Sequence, residues 1–427
     1  MLYDVIVVGA GPTGLMAAKT AAEQGLQVAV IERRWDVSQI RRACCSHFIM
    51  EEGYENESIR VTHEKIVFLR NVFEVPYGGL TVPIPNKYFY SPNGHKISFS
   101  QQDGTPIGIK FQKGKLLQNL FNECERIGVT FRLGTVAYKA ADTGKKVEVE
   151  TVSRGKKAKV KARKAVIADG VNAHITGSLG FNTGRKLYLT AYVDKYIVAD
   201  FNDYESGSWN FYFGQAFHSH APVLIGPSFY GNSTVEVTVM GSKSQQPAEI
   251  YKKVIADSPL AKSFQGTKIA DKQACSLKAF EALKIPYKGN VLVSGDAAAY
   301  IEVEVQGGLM CGYHAGKAVF KELNEENGFE QYAAWWQQSF EFNSDDWLQV
   351  AQGYALVPVY SDNELDYLFS LIEDETLKGT FSQYTTPGLM WDAILRHKER
   401  IAREQPKLYA KANKIRDMSL SSSFTEK

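Results

Sequence analysis

Two clusters of side chains in this sequence could move protons. Near the start, the run Arg41-Arg42-Ala43-Cys44-Cys45-Ser46-His47 sets two thiols and an imidazole almost side by side. Far along the chain, Glu302 and Glu304 flank Val303, an alternation that in an extended segment places both carboxylates on one face. A thiol, an imidazole and a carboxyl with a perturbed pKa can each act as a general acid. The cysteines lack the C-x-x-C spacing of a zinc or iron–sulfur site, and no metal centre is expected. A disulfide between adjacent cysteines would close a strained ring. Cys44 and Cys45 are therefore read as packing or as reactive groups, and the glutamates as an acidic edge or a proton-handling pair.

The elements that must position these groups begin at the N-terminus. Tyr3 to Val8 is an apolar run of the kind buried on both faces of a parallel sheet, and GAGPTG follows it. An alanine-rich helix pattern stops at Gly25, and a second apolar run, Leu26 to Ile31, ends in Glu32. Strand, glycine turn, helix, strand and acidic residue stand in the order of a dinucleotide-binding unit. Gly9 permits the tight turn, Gly11 lets the backbone approach a pyrophosphate, and Gly14 lets helix and sheet pack closely. The helix N-terminus offers unpaired N–H groups to phosphate, and Glu32 is placed to accept hydrogen bonds from a ribose. Residues 145–170 read as a hairpin turning near Arg154-Gly155 and feeding a buried strand that ends at Asp169-Gly170, where it meets the cofactor. Its lysines fit a solvated face, with anionic docking as the other use. A further strand, Asn290 to Ser294, runs into Asp296, and Gly307-Gly308 opens an apolar helix.

GAGPTG with Glu32, then IADG, then SGDAAAYIEVEVQGGL, in this order, resembles the FAD-dependent oxidoreductases that include aromatic hydroxylases and geranylgeranyl reductases. The resemblance implies that Asp296 binds the ribityl chain and that Gly308 and Leu309, at the start of a helix, meet the flavin's pyrimidine edge. A helix dipole there favours the negative charge of reduced flavin. The segment GFEQYAAWWQQSFEFNSDDWLQV, helical by its spacing, is similar to the geranylgeranyl reductase branch. That branch also carries a cysteine near the flavin at the place of Cys44 or Cys45. ACCSHF stands where the branch has glycines, and Glu302-Val303 where it has Asn-Pro or Asp-Pro; His47 is this chain's own addition. The resemblance also implies cofactor contacts from Lys113, which stands where the branch has an arginine starting a helix over 114–127, and from the Val136 backbone to adenine, while the Arg41-Arg42 pair is placed to meet the pyrophosphate.

The fold implied is α/β: a Rossmann-like FAD-binding domain from residues 1–79, 103–186 and 270–325, an inserted antiparallel-sheet substrate domain from 80–102 and 187–269, and a C-terminal helical region, 326–427. Within the inserted sheet, Trp209, Phe211 and Phe213 fall on one face, similar in spacing to an aromatic signature of the reductase branch. An aromatic sheet face is either core or pocket.

The expected activity is reduction of a carbon–carbon double bond in an apolar or aromatic substrate, isoprenoid, quinone-like or aromatic enoyl. Hydride comes from FAD and a proton from Cys44, Cys45, His47, Glu302 or Glu304. The alternatives are a flavin monooxygenase acting on an aromatic ring, and a lipid escort protein of the GDP-dissociation-inhibitor type. No second nucleotide fingerprint identifies the electron donor, leaving NAD(P)H or a redox protein. A formal net charge of +2 gives no field for nucleic acid. Five scattered cysteines fit a reducing cytoplasm, and no apolar stretch is long enough to span a bilayer. The basic segment 396–416 would rest on an anionic membrane or partner, or form a solvated terminal helix.

Overall fold

A computed structural model describes residues 1–44, 46–50, 54–230, 234–343, 356–383 and 385–414. Cys45 lies outside the described residues. The N-terminal apolar runs form the strands Tyr3–Val8 and Val28–Ile31, joined by the helix Pro12–Glu23. Both strands are buried on both faces, which is why they read as continuous β-branched runs rather than as alternation. They pair in parallel, and Tyr3–Val8 pairs in parallel with the end of a long strand, Lys156–Ile167. The strands Val291–Val293 and Thr130–Arg132 complete the parallel core of this first sheet. All the parallel strands end toward the glycine turn, so one edge of the sheet gathers the residues after Val8, Ile31, Ile167 and Val293.

The hairpin forms where the sequence places it. Val147–Ser153 pairs antiparallel with Lys156–Ile167 across Arg154 and Gly155, both at positive φ, 49° and 75°. Its lysines face solvent, with Lys159 near Glu148 and Glu150 at 3.6 and 3.4 Å.

A second eight-stranded sheet stands beside the first. It contains Asn86–Tyr90, Lys96–Ser100, Leu187–Ala199, Ser208–Tyr212, Val223–Pro227 and Val235–Gly241. Two of its strands come from elsewhere than the expected boundaries. Lys268–Phe280, assigned from residue 270 to the flavin unit, pairs along Leu187–Ala199, and Thr376–Lys378 of the C-terminal region adds to the other edge. A small sheet of His47–Ile49, Gly108–Phe111 and Thr81–Ile84 joins the two large ones. The aromatic helix covers Gly328–Ser339 and ends there, because Phe340 turns extended and packs its ring between Tyr54, Trp335 and Trp336. C-terminal helices close over the second sheet through Leu365, Leu368, Phe369, Met390 and Ile394. Among the described residues no helix is long and apolar enough to cross a membrane.

Candidate active site

The glycine turn is built by close approach. Gly9 has φ of 102°, and a Cβ there would lie 2.3 Å from the carbonyl oxygen of Ala168. A Cβ on Gly14 would lie 1.9 Å from the Gly9 oxygen, so helix and turn touch backbone to backbone. Gly11 differs: a Cβ on it would meet nothing within 4 Å. It faces open space at the start of a helix whose N-cap has no side-chain partner. That is a cradle for a phosphate group. Glu32 is buried beside it and accepts hydrogen bonds from Ala10 N at 2.7 Å and from Arg34 N and Nε at 2.8 and 2.9 Å. Burial works against its charge, but the Arg34 guanidinium and these N–H groups outweigh it and hold the carboxyl below its ordinary value. Arg34 went unnoticed in the sequence because only its contacts, to Glu32 and to the Ala10 and Val37 carbonyls, give it a role. Val136 starts the strand Val136–Asp142, half exposed, and the preceding Thr135 N–H donates to the Glu32 carbonyl. Asp169 faces its own chain: it accepts from Ile175 N and Thr176 Oγ1, capping the short helix His174–Ser178, and its burial raises its pKa.

At the other end, Asp296 accepts a hydrogen bond from Val303 N at 3.0 Å. The intervening segment is not extended. Ile301 and Glu304 are left-handed, with φ of 56° and 58°, and the helix starts at Glu304 rather than at Gly307-Gly308. The alternation of Glu302 and Glu304 therefore has no strand to act on. Holding a β-branched Ile301 in this region is costly, and such strain gathers at functional sites. Gly308 packs on Thr13 of the glycine-turn helix, and Leu309 is fully buried behind it. Val303, the N-cap of this helix, has a hydrophobic side chain, so the first N–H groups have no side-chain cap. An open phosphate cradle at one end and an uncapped helix beside Asp296 at the other fit FAD.

Arg42, Cys44 and His47 lie at this second end. Arg41 is exposed, and its carbonyl accepts a hydrogen bond from Ala274 N. Arg42 is the inward residue: burial opposes its charge, but Asp296, Cys275, Glu302 and Cys44 together keep the guanidinium charged. Lys113, expected at the cofactor, points its Nζ to Cys44 Sγ at 3.3 Å. Lys195 Nζ donates to the Cys44 carbonyl at 2.9 Å and pairs with Glu236 at 3.0 Å, which Lys110 also reaches at 2.6 Å. Burial would raise the Cys44 pKa, yet Lys113, Lys195 and Ser46 outweigh it, and the thiol is lowered toward thiolate. Cys275 lies close by, its sulfur 3.8 Å from the Ala43 carbonyl, and burial raises its pKa.

Glu302 takes the opposite course. Burial, then Asp296, Glu304 and Cys44, push its carboxyl up to about 8. His47, on the strand His47–Ile49, lies 3.6 Å from Glu304 and packs its ring on Phe381 at 4.2 Å and near Trp209 at 5.8 Å. The aromatic trio spans two clusters. Trp209 packs with Phe381, Phe213 packs in the C-terminal core and meets Phe369 at 6.1 Å, and the half-buried Phe211 touches both clusters, stacking on Phe213 at 6.4 Å.

This fold and site define a flavin-dependent oxidoreductase. Residues 2–309 match the family described as FAD binding domain, and the chain belongs to that family. It is an FAD-dependent oxidoreductase of the superfamily that includes geranylgeranyl reductases and aromatic hydroxylases. Digeranylgeranylglycerophospholipid reductase of Methanosarcina acetivorans is 25% identical over 327 residues, 74% of each chain. The structure of a geranylgeranyl bacteriochlorophyll reductase-like protein from Thermoplasma acidophilum superposes with a TM-score of 0.72 at 16% identity, covering 97% of this chain and 99% of that one. The p-nitrophenol 4-monooxygenase of Pseudomonas putida shares the fold at a TM-score of 0.64 and 14% identity, covering 93% and 98%.

Proposed function

We propose that the enzyme reduces a carbon–carbon double bond in an apolar isoprenoid, quinone-like or aromatic enoyl substrate, with Glu302 supplying the proton. The single observation that carries this reading is the buried Glu302 carboxyl, which stays protonated up to about pH 8 at the start of the helix beside Asp296. Bound FAD supplies a hydride from N5. Glu32, the amides from Gly11 onward and Asp296 would hold it, while Arg42 balances the acidic groups around Asp296. Trp209, Phe211 and Phe381 offer the apolar substrate an aromatic wall and keep water from the reacting carbons. A carboxylic acid that is neutral at working pH can give its proton to the second carbon as the bond saturates. The Cys44 thiol, held below its ordinary value by Lys113 and Lys195, contributes when ionised a charge that helps keep Glu302 protonated.

Electrons reach the cofactor from NAD(P)H or a redox protein in this reading, and exposed basic residues of 396–414 offer a peripheral contact with an anionic membrane. The test is anaerobic. The purified yellow protein is photoreduced and mixed with prenyl lipids, quinones and aromatic enoyl compounds while flavin absorbance is followed. Reoxidation with a product two hydrogens heavier is expected. Reoxidation by oxygen alone, with a hydroxylated product, would replace this reading with a monooxygenase, and a colourless protein would point to a lipid escort.

A further inference from the structure

Where the helix begins, four buried polar atoms of three neighbouring side chains have no hydrogen-bond partner among the described residues. They are Nδ1 and Nε2 of His47, Oε2 of Glu304 and Nε2 of Gln306. Gln306 is wholly buried and His47 is 8% exposed. The three are tied together: the Ile49 N–H donates to Gln306 Oε1 at 2.9 Å, on the strand that carries His47, and His47 Nε2 stands 3.6 Å from Glu304 Oε2. At 3.6 Å, imidazole and carboxylate are near neighbours without a hydrogen bond. Each buried polar atom left in this state destabilises the fold, which does not gather several of them in one place without something to satisfy them. The surroundings say what kind of molecule could do so. On one side lies the apolar cluster of Ile49, Ile84, Ile107, Trp209, Leu224 and Phe381, with the His47 ring lying against Phe381. A group that meets the polar atoms must therefore belong to a molecule that is otherwise apolar.

We infer that the substrate carries a carbonyl conjugated to its double bond, whose oxygen accepts hydrogen bonds from Gln306 Nε2 and from the His47 ring. This deepens the proposed function and rests on it. With one ring nitrogen donating to the substrate, the other faces Glu304. The overall step adds a hydride from the reduced cofactor to the β carbon and a proton from Glu302 to the α carbon. The cofactor is oxidised by two electrons, and the carbon–carbon π bond becomes two C–H bonds. Between the two transfers, negative charge moves onto the carbonyl oxygen, where the Gln306 and His47 donors stabilise it. An isolated alkene has no atom that can receive this charge, and it leaves the donors unsatisfied.

Two probes of matched carbon skeleton separate these cases: citral, in which one double bond is conjugated to an aldehyde, and geraniol, in which none is. Oxidised holoenzyme is titrated with each while the flavin spectrum is followed, and anaerobically reduced holoenzyme is mixed with each while reoxidation is timed. Citral should bind at least tenfold tighter than geraniol and be reduced only at its conjugated bond. Gln306→Leu should slow citral reduction by roughly 100-fold, the usual effect of removing one such donor, and should change geraniol binding less than threefold. Unchanged far-UV circular dichroism and flavin content in Gln306→Leu should show that its effect is not a folding defect. If the two probes bind alike, or Gln306→Leu affects both equally, the carbonyl site is overturned. Tighter citral binding that depends on Gln306, without any reduction, would instead retain the site and overturn the double-bond reductase reading.

Discussion

Replacing Glu302 with glutamine tests the most heavily perturbed carboxyl at the site. Its pKa stands at about 8 in the folded protein against an ordinary 4.5. At about 1.4 kcal/mol for each pH unit, that difference corresponds to roughly 5 kcal/mol. The sign follows from proton binding. Between these two values the folded protein retains a proton that the unfolded chain has released, so the native state binds more protons and stability falls as pH rises. The loss begins near pH 4.5 and is complete just above pH 8. Glu302→Gln carries no titrating group, so this contribution to the pH dependence disappears. Urea denaturation of the wild type and the variant at pH 5 and at pH 8.5 measures it. The difference in unfolding free energy between the two proteins should move by several kcal/mol in favour of the variant at the higher pH. The same substitution should slow anaerobic flavin reoxidation by substrate by roughly 10²–10⁴-fold, the usual worth of a general acid. In the wild type the rate should fall about tenfold for each pH unit above the Glu302 pKa. Parallel stability profiles for the two proteins would refute the claim that this carboxyl is neutral and buried. An unchanged reoxidation rate would refute its role as the acid.

Other parts of the site make separate predictions. Gly11→Val should fold normally, because a Cβ there meets nothing within 4 Å, yet purify colourless; unchanged circular dichroism with a full complement of flavin would refute the cradle. Lys113→Met should slow iodoacetamide labelling of Cys44 at neutral pH by roughly tenfold, because only the thiolate reacts, measured by mass spectrometry of the labelled peptide. His314, stacked on Trp335 at 3.9 Å, is pushed down to about 3 by burial. It therefore stays neutral in the fold while the unfolded chain takes up a proton, so stability falls as pH drops below 6.5. His314→Gln should lessen the acid sensitivity by about 2 kcal/mol at pH 5, seen in the same urea titrations.

What the sequence makes legible is whatever depends on neighbours along the chain. The glycine turn, the acidic residue after the second strand and the Arg154-Gly155 hairpin are each set by a local backbone requirement, and each was readable from residue types a few positions apart. Charge neighbourhoods were not. Lys195 and Glu236 lie on paired strands, Lys110 on another sheet and Lys113 at a helix start, and only their meeting around Cys44 gives them a role. Lys113 was readable as a position but not as a partner of Cys44. The IEVEV alternation misled because Ile301 and Glu304 adopt left-handed backbone, which β-branched and long side chains seldom signal. Gln306 gave no signal at all: its meaning lies in what its buried amide fails to touch. The long strand Lys268–Phe280 is not legible in its place because its chain position follows the inserted region, whereas its pairing along Leu187–Ala199 returns it there.

Cys44 and Glu302 are half-buried at one site, the thiol pKa is pushed down and the carboxyl pKa up, and their charges are linked. Burial raises the pKa of each. For Cys44, Lys113 and Lys195 overcome that penalty; for Glu302, Asp296, Glu304 and the Cys44 charge add to it, while Arg42 opposes. When ionised, Cys44 is then a positioning group for a proton, an anion that helps keep its neighbour protonated without itself taking part in the transfer. Cys44→Ala removes this anion, so the Glu302 pKa should fall and the high-pH limb of the reoxidation rate should shift to lower pH. At a pH well below that limb, the rate should change little. A proton donor would give the reverse pattern, since removing Cys44 would depress the rate at every pH and leave the limb where it was. Measuring the whole pH profile in Cys44→Ala thus separates the two roles, and a uniform loss of rate without a shift would return the proton to the cysteine.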